Sequence, residues 1–393
     1  MTNFTYYNPV EIRFGIGASR HIGETAAAYG KRVLLVSYAD ISYMQSTVDA
    51  VLRSLIDSGM DVTTFFAITA NPLLSQVQEG IRLCRKQAIE VIVGLGGGSV
   101  MDAAKTIGVG SLYDGDVWDM FCHACNTPVE PMCSLPTIMI PTLPATSSEM
   151  NNIAVVTNEA TTEKAHICAR VLYPKVSLVD PALTCSLPAY QTACGGVDAI
   201  SHIMESYFNC APDTPLQDRL QEAAMSTLLE MLPQVLAQPH NAELRASIQW
   251  ASTLAWNGWL QAGVEPRSPM HPIGHVLSAR FQVTHGATLG IVMPAFFRYV
   301  CSRRLSRFAQ LGRRVFDLTG SDATVAAEAI DCFEAFIESV GVPTRLSQVG
   351  IGVDSLELLA DDVVRVHCGA DGALPSDPPV YRNDILAILQ LAL

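Results

Sequence analysis

Apolar positions in the first half of the chain come in short continuous runs separated by amphipathic stretches. Arg32 to Tyr38 (Arg-Val-Leu-Leu-Val-Ser-Tyr) and Glu90 to Gly94 (Glu-Val-Ile-Val-Gly) are runs of the kind that form strands buried on both faces. Glu11 to Gly15 and Asp61 to Ala67 read as further strands, as do Pro136 to Pro141 and Lys175 to Val179, the last closing at Asp180-Pro181. Between them, Ala18 to Tyr29, Gln45 to Ser58 and Leu73 to Lys86 carry helical spacing. This alternation predicts a parallel sheet covered by helices. After about Ser186 the period becomes helical throughout: Leu216 to Leu232, Ala242 to Gln261, Leu305 to Leu318 and Ala323 to Val340 are separated by Pro or Gly breaks. Ala373 to Tyr381, rich in proline, reads as a surface loop before a last helix. With 393 residues the chain exceeds one ordinary core. The expected fold class is α/β plus all-α, with an α/β domain over 1–185 and an all-helical domain over 186–393.

Charge and composition narrow the partners. A formal net charge of −13 disfavours nucleic acid and anionic membranes, which select basic surfaces, and leaves a small ligand as the better fit. Although 49% of residues are apolar, charges or turn residues cut every run short of the roughly 18–20 residues that span a bilayer. The N-terminus lacks the pattern of a signal peptide, so a soluble cytoplasmic protein is expected. The eleven cysteines are odd in number and scattered, which fits reduced thiols rather than a disulfide framework. Cys122-His123-Ala124-Cys125 has zinc-like spacing, but no second such pair accompanies it, and a loop with incidental thiols is the preferred reading.

The candidate chemistry lies in the helical half. Residues 198 to 285 hold Asp198, His202, His271, His275 and His285, four of the nine histidines beside a carboxylate. Asp198 and His202 are four apart in a helical pattern, so both leave one helix face and can converge on one ion. His271, His275 and His285 then compete for two remaining positions, and spacing alone leaves that open. Glu205, three residues beyond His202, either orients that imidazole or is a solvated carboxylate.

A second feature is Gly94-Leu95-Gly96-Gly97-Gly98-Ser99, which follows a buried strand and runs into a helix. Glycines let backbone N–H groups approach a pyrophosphate, and a helix start favours anions. The spacing is not Gly-x-Gly-x-x-Gly and the loop follows a later strand, so an ordinary Rossmann fingerprint does not apply. A plain tight turn is the competing reading.

Several motifs in order give the whole chain a resemblance. They are Tyr-Asn-Pro…Phe-Gly-Ile-Gly-Ala at the start, Gly-Gly-Gly-Ser-Val-Met-Asp-Ala-Ala-Lys (Gly96 to Lys105), Pro141-Thr-Leu-Pro-Ala-Thr-Ser-Ser-Glu-Met, Tyr173-Pro-Lys…Asp180-Pro, and the histidine segments. The chain resembles the iron-containing (group III) alcohol dehydrogenases, of dehydroquinate synthase-like fold. Within that family it is more similar to the broad-range aldehyde reductases and butanol dehydrogenases than to the glycerol dehydrogenases. The resemblance implies a dinucleotide-binding first domain and a metal- and substrate-binding second domain. It implies Asp198, His202, His271 and His285 as metal ligands and leaves His275 in the pocket near substrate and nicotinamide. It also implies Gly96, Gly97, Gly98, Ser99, Asp102, Thr142, Thr146 and Lys164 as cofactor contacts. For Asp102, a charge in the first turn of its helix is the alternative.

The expected reaction is hydride transfer between a primary alcohol or aldehyde and a nicotinamide cofactor. Fe(II) is the expected ion, with Zn(II) as the second choice because its intrinsic affinity for such ligands is higher. Asp40, in Ser37-Tyr-Ala-Asp-Ile-Ser42, departs from the glycine-rich segment of NADP-dependent relatives; a carboxylate there would accept the ribose hydroxyls and repel a 2′-phosphate, which favours NAD over NADP. His275, with a pKa near working pH, would relay the proton. A homodimer or larger assembly is expected from exposed apolar helix surface. A dehydroquinate synthase-like enzyme is disfavoured, because its substrate asks for a lysine- and arginine-rich pocket and the helical segments are poor in both. A non-catalytic assembly protein is disfavoured by a ligand set that leaves a position open.

Overall fold

The computed structural model describes residues 1–123, 126–208, 211, 213–265 and 269–393. Its first half runs β1 (Glu11–Phe14), α1 (Ile22–Ala27), β2 (Arg32–Tyr38), α2 (Gln45–Asp57), β3 (Asp61–Ile68), α3 (Leu74–Gln87), β4 (Val91–Gly96), α4 (Gly98–Gly110) and β5 (Thr137–Pro141). A hairpin, β6 (Ile153–Asn158) and β7 (Glu163–Cys168), precedes β8 (Val176–Val179). Six strands form a parallel sheet in the order β1-β8-β5-β4-β2-β3.

Alternation along the strands divides the core into two layers. Val33 and Leu35 of β2 face one side with Val91, Val93, Ile138 and Ile140, under α1 and α2. Leu34 and Val36 face the other with Ile92 and Met139, under α3, α4 and the hairpin. Residues 33–36 are fully buried, each worth roughly 1.5–3 kcal/mol of transfer free energy, which is why this run carries no polar position. From β2 the chain moves outward to β3, and from β4 it moves the other way to β5. The strand order therefore reverses between β2 and β4, and a crevice opens at their carboxyl ends. The glycine-rich segment lies there, on a later strand than in an ordinary Rossmann unit.

The second half is α5 (Ala189–Tyr207), α6 (Pro215–Ala237), α7 (Ala242–Ala255), α8 (Met270–Phe281), α9 (His285–Val300), α10 (Leu305–Val315), α11 (Asp322–Ser339), α12 (Leu356–His367) and α13 (Arg382–Leu391) around a core of its own. Several expectations change, and the helix over Ala242 to Gln261 already ends at Ala255. The helix over Ala18 to Tyr29 is a 3-10 turn, Ala18–His21, followed by the short α1. The pattern over Leu216 to Leu232 continues through Pro233 to Ala237, because buried Leu232 and Val235 hold the turn that lacks an N–H. The loop over Ala373 to Tyr381 contains a two-stranded ladder, β9 (Ala373–Leu374) with β10 (Val380–Tyr381). Cys125, of the zinc-like pair, lies outside the described residues, while Cys122 is a free thiol, as are Cys84, Cys185 and Cys194. Among the described residues no helix is long and apolar enough to cross a membrane.

Candidate active site

Asp198 and His202 sit one turn apart on α5, and His271 and His275 one turn apart on α8. His285 opens α9, which is brought against α5 by Gly286: a Cβ there would come within 2.0 Å of the Cys194 carbonyl oxygen. Only glycine allows that approach, and it sets how far the His285 ring stands from α5.

The ring nitrogens converge on one carboxylate. Asp198 Oδ2 is 3.7 Å from His202 Nε2, and Asp198 Oδ1 is 3.8 Å from His271 Nε2 and 3.5 Å from His285 Nε2. These are too long for hydrogen bonds. Asp198 Oδ1, His202 Nε2 and His271 Nε2 are buried without a hydrogen-bond partner, a costly arrangement unless something else satisfies them. Two ligand atoms placed tetrahedrally at roughly 2.1 Å from a divalent ion stand about 3.4 Å apart, close to the separations here. Asp198, His202 and His271 form one set, with one ligand atom each within 4.8 Å of the others, and His285 Nε2 lies 3.5 Å from Asp198 beside it. The donor set thus fits a metal ion.

Electrostatics point the same way. Burial works against ionisation of Asp198, but His202, His285 and His271 outweigh it and hold the carboxyl below its ordinary range. Burial, then His271, lowers His202 to about 4, so its imidazole is neutral, as ligation requires. His271 is opposed by burial, yet Glu205 and Asp198 raise it to about 9. Two carboxylates thus hold a positive charge on His271 where an ion would supply it.

Glu205 is neither solvated nor hydrogen-bonded to His202 in the way the sequence suggests; it bonds His271. Its Oε2 is 2.5 Å from His271 Nδ1, and its Oε1 accepts the backbone N–H groups of Met270 at 3.0 Å and His271 at 3.1 Å. One carboxylate therefore fixes both the start of α8 and the ring of its first histidine. His275 lies beside the cluster, its ring 5.4 Å from that of His285 and 6.0 Å from that of His271. Burial, then Lys164, His285, His367 and His271, hold it well below the ordinary histidine range, so it is neutral rather than poised near working pH. His367, at the end of α12, joins the group although no motif points to it. Its ring is 5.6 Å from His275 and its Nε2 is buried without a partner. A basic residue in a last helical turn is an ordinary feature, so nothing in the local pattern marks it as part of a site.

The expected cofactor residues are spread over the carboxyl end of β4, the start of α4, the segments after β2 and β5, and β7. Gly96 ends β4, Gly97 caps α4 and Gly98 begins it. A Cβ on Gly97 would meet the Tyr38 hydroxyl at 2.8 Å, and one on Gly98 would meet Thr146 Cγ2 at 2.6 Å. The protein's own packing therefore demands these glycines, in addition to any ligand. Ser99 Oγ accepts from the Asn71 N–H, and Asn71 Oδ1 accepts from Lys164 Nζ at 2.8 Å. Lys164, buried on β7, is lowered to about 8 by burial, with Asp198 and Asp102 acting in the opposite sense. It joins the crevice to the histidine cluster. Thr142 is buried after β5, and its N–H donates to Gly96 O. Asp102 does not charge the helix start: its oxygens accept from Ser148 Oγ at 2.5 Å and Val155 N at 3.0 Å, tying α4 to β6. Asp40 lies just past β2, exposed, and accepts from the Ser42 N–H.

Two family models match consecutive parts of the chain: iron-containing alcohol dehydrogenase over residues 9–181, and the C-terminal region of the Fe-containing alcohol dehydrogenase family over residues 192–393. The chain belongs to the iron-containing alcohol dehydrogenases. This family member is 37% identical over 396 residues to the probable NADH-dependent butanol dehydrogenase 2 of Bacillus subtilis, covering 100% of both chains. It is 34% identical over 363 residues to the NADPH-dependent aldehyde reductase YqhD of Escherichia coli, covering 91% of this chain and 92% of that one. The crystal structure of NADH-dependent butanol dehydrogenase A from Thermotoga maritima matches it with a TM-score of 0.95 at 34% identity, over 100% of this chain and 99% of that one. This iron-containing alcohol dehydrogenase is accordingly an NAD(P)-dependent oxidoreductase of alcohols and aldehydes.

Proposed function

We propose that the enzyme exchanges a hydride between a primary alcohol, or its aldehyde, and NAD(H), with an iron ion held by Asp198, His202, His271 and His285. The observation that carries this reading is that three imidazole Nε2 atoms face the Asp198 carboxylate at 3.5–3.8 Å, too far to hydrogen-bond to it. A divalent ion there would supply Lewis acidity toward the alcohol or carbonyl oxygen, and the nicotinamide would supply hydride exchange. The Gly96–Ser99 turn and the start of α4 bind the pyrophosphate. Thr142, Thr146 and Asp102 shape the floor of the crevice. Lys164 bridges toward the histidines and aligns the two halves. The division into 1–185 and 186–393, a homo-oligomer and a cytoplasmic location belong to the same proposal. Exposed Phe14 and Ile16 at the outer sheet edge support self-association, and a monomer mass by light scattering would overturn it.

Metal analysis with an alcohol and aldehyde panel, run with both cofactors, tests the reading. We expect iron-dependent reduction of short aldehydes with higher kcat/KM for NADH than NADPH. Asp40→Gly should narrow that preference by roughly tenfold by removing a carboxylate that repels a 2′-phosphate. A strong wild-type preference for NADPH would refute the role of Asp40, and inactivity of metal-replete enzyme across the panel would refute the function.

His275, kept neutral, suits accepting a proton and passing it outward rather than storing one. His275→Ala should lower turnover by roughly 10² and change the pH profile while metal content persists. Loss of metal would instead make His275 a ligand.

A further inference from the structure

A second cleft, of about 220 Å³, opens at the other end of α5, nine residues before Asp198. It is lined by Cys185, Leu187, Ala189, Val235, Pro239 and Arg245, where the start of α5 meets the end of α6 and the first turns of α7. Arg245 is 1% exposed. Its Nε donates to the Pro239 carbonyl at 3.0 Å and its Nη1 to Thr192 Oγ1 at 2.8 Å, while Nη2 has no acceptor among the described residues. No carboxylate among the described residues is paired with it, and its titratable neighbour is the Cys185 thiol, itself pushed up by burial and hence uncharged at neutral pH.

A guanidinium does not shed its proton, so this buried cation needs an anion. The second feature of the cleft is also positive. Helix α5 begins at Ala189 without a side-chain cap, and the N–H groups of Ala189, Tyr190 and Gln191 take no acceptor among the described residues. A 19-residue helix presents the positive end of its dipole at that point. Fork and helix start together make the partner set that a phosphate group requires. We propose that this cleft binds a small oxyanion, either inorganic phosphate or the phosphoryl group of a small metabolite, between Arg245 and the first turn of α5.

The test uses the full-length, metal-replete enzyme saturated with NADH, so that the glycine-rich turn is filled. It is titrated at constant ionic strength with inorganic phosphate or, separately, glycerol 3-phosphate, followed by calorimetry and thermal unfolding. We expect saturable binding and a rising Tm, with tighter binding of the ester assigning a metabolite and tighter binding of phosphate assigning the free ion. Arg245→Met should weaken binding by at least about tenfold. Because that variant removes donors that hold Pro239 and Thr192, a second is needed: Cys185→Asp places a carboxylate in the cleft, should raise Tm without phosphate, and should abolish the response. No saturable binding to the wild type, or the same binding in Cys185→Asp, overturns the proposal.

Discussion

Asp198→Asn enzyme is expected to purify folded but without bound metal, and with kcat/KM lowered by roughly 10³. Asp198 is the carboxylate on which all three proposed imidazole ligands converge, with its oxygens 3.5–3.8 Å from their Nε2 atoms. The amide keeps the shape and removes the negative charge that offsets a divalent ion. Lewis acidity toward an alcohol or carbonyl oxygen is worth several kcal/mol, and each ~1.4 kcal/mol is a factor of ten in rate, which gives the expected loss. Metal content by mass spectrometry and steady-state kinetics decide the matter, with circular dichroism as the control for folding. Retention of a full equivalent of metal, with kcat/KM within about tenfold of wild type, would place the ion elsewhere.

The parts of this site differ in how far local pattern reveals them. Asp198 and His202 lie four residues apart on one helix, so periodicity alone puts them on one face. The choice among His271, His275 and His285 is not local. It depends on where α8 ends, at Gln282 with φ 55, and on the contact of Gly286 with the Cys194 carbonyl, which swings the His285 ring toward Asp198. Family resemblance selects His271 and His285, and the geometry gives a reason for His285 that spacing lacks.

Glu205 shows the same limit. Its place three residues after His202 suggests that neighbour, but the carboxylate instead spans to α8, 66 residues away in sequence from His271. The strands β2 and β4 are legible because both their faces are buried, whereas β6 and β7 are not. Glu163, Lys164 and His166 break the apolar run of β7, because only Ala165 and Ile167 face the core while His166 is exposed and Lys164 bonds Asn71.

Glu205→Gln should weaken metal binding by about 10–100-fold, with activity recovered at high metal concentration. The carboxylate accepts at Oε2 from His271 Nδ1, 2.5 Å away, which fixes the proton on Nδ1, so that an ion displacing the proton on Nε2 would find that lone pair free to ligate. Oε1 must remain an acceptor, because the backbone N–H groups of Met270 and His271 both donate to it. In the glutamine variant the amide oxygen therefore takes the Oε1 position and the NH₂ group faces Nδ1. A donor there favours the tautomer with the proton on Nε2, which cannot ligate. Helix α8 keeps its backbone anchors, so folding should be little changed. A structural role alone would lower Tm without a metal-dependent rescue. The deciding measurement is activity against free metal concentration: a curve shifted to higher metal with near-normal maximal kcat supports the tautomer argument, and an unshifted curve would remove Glu205 from the site.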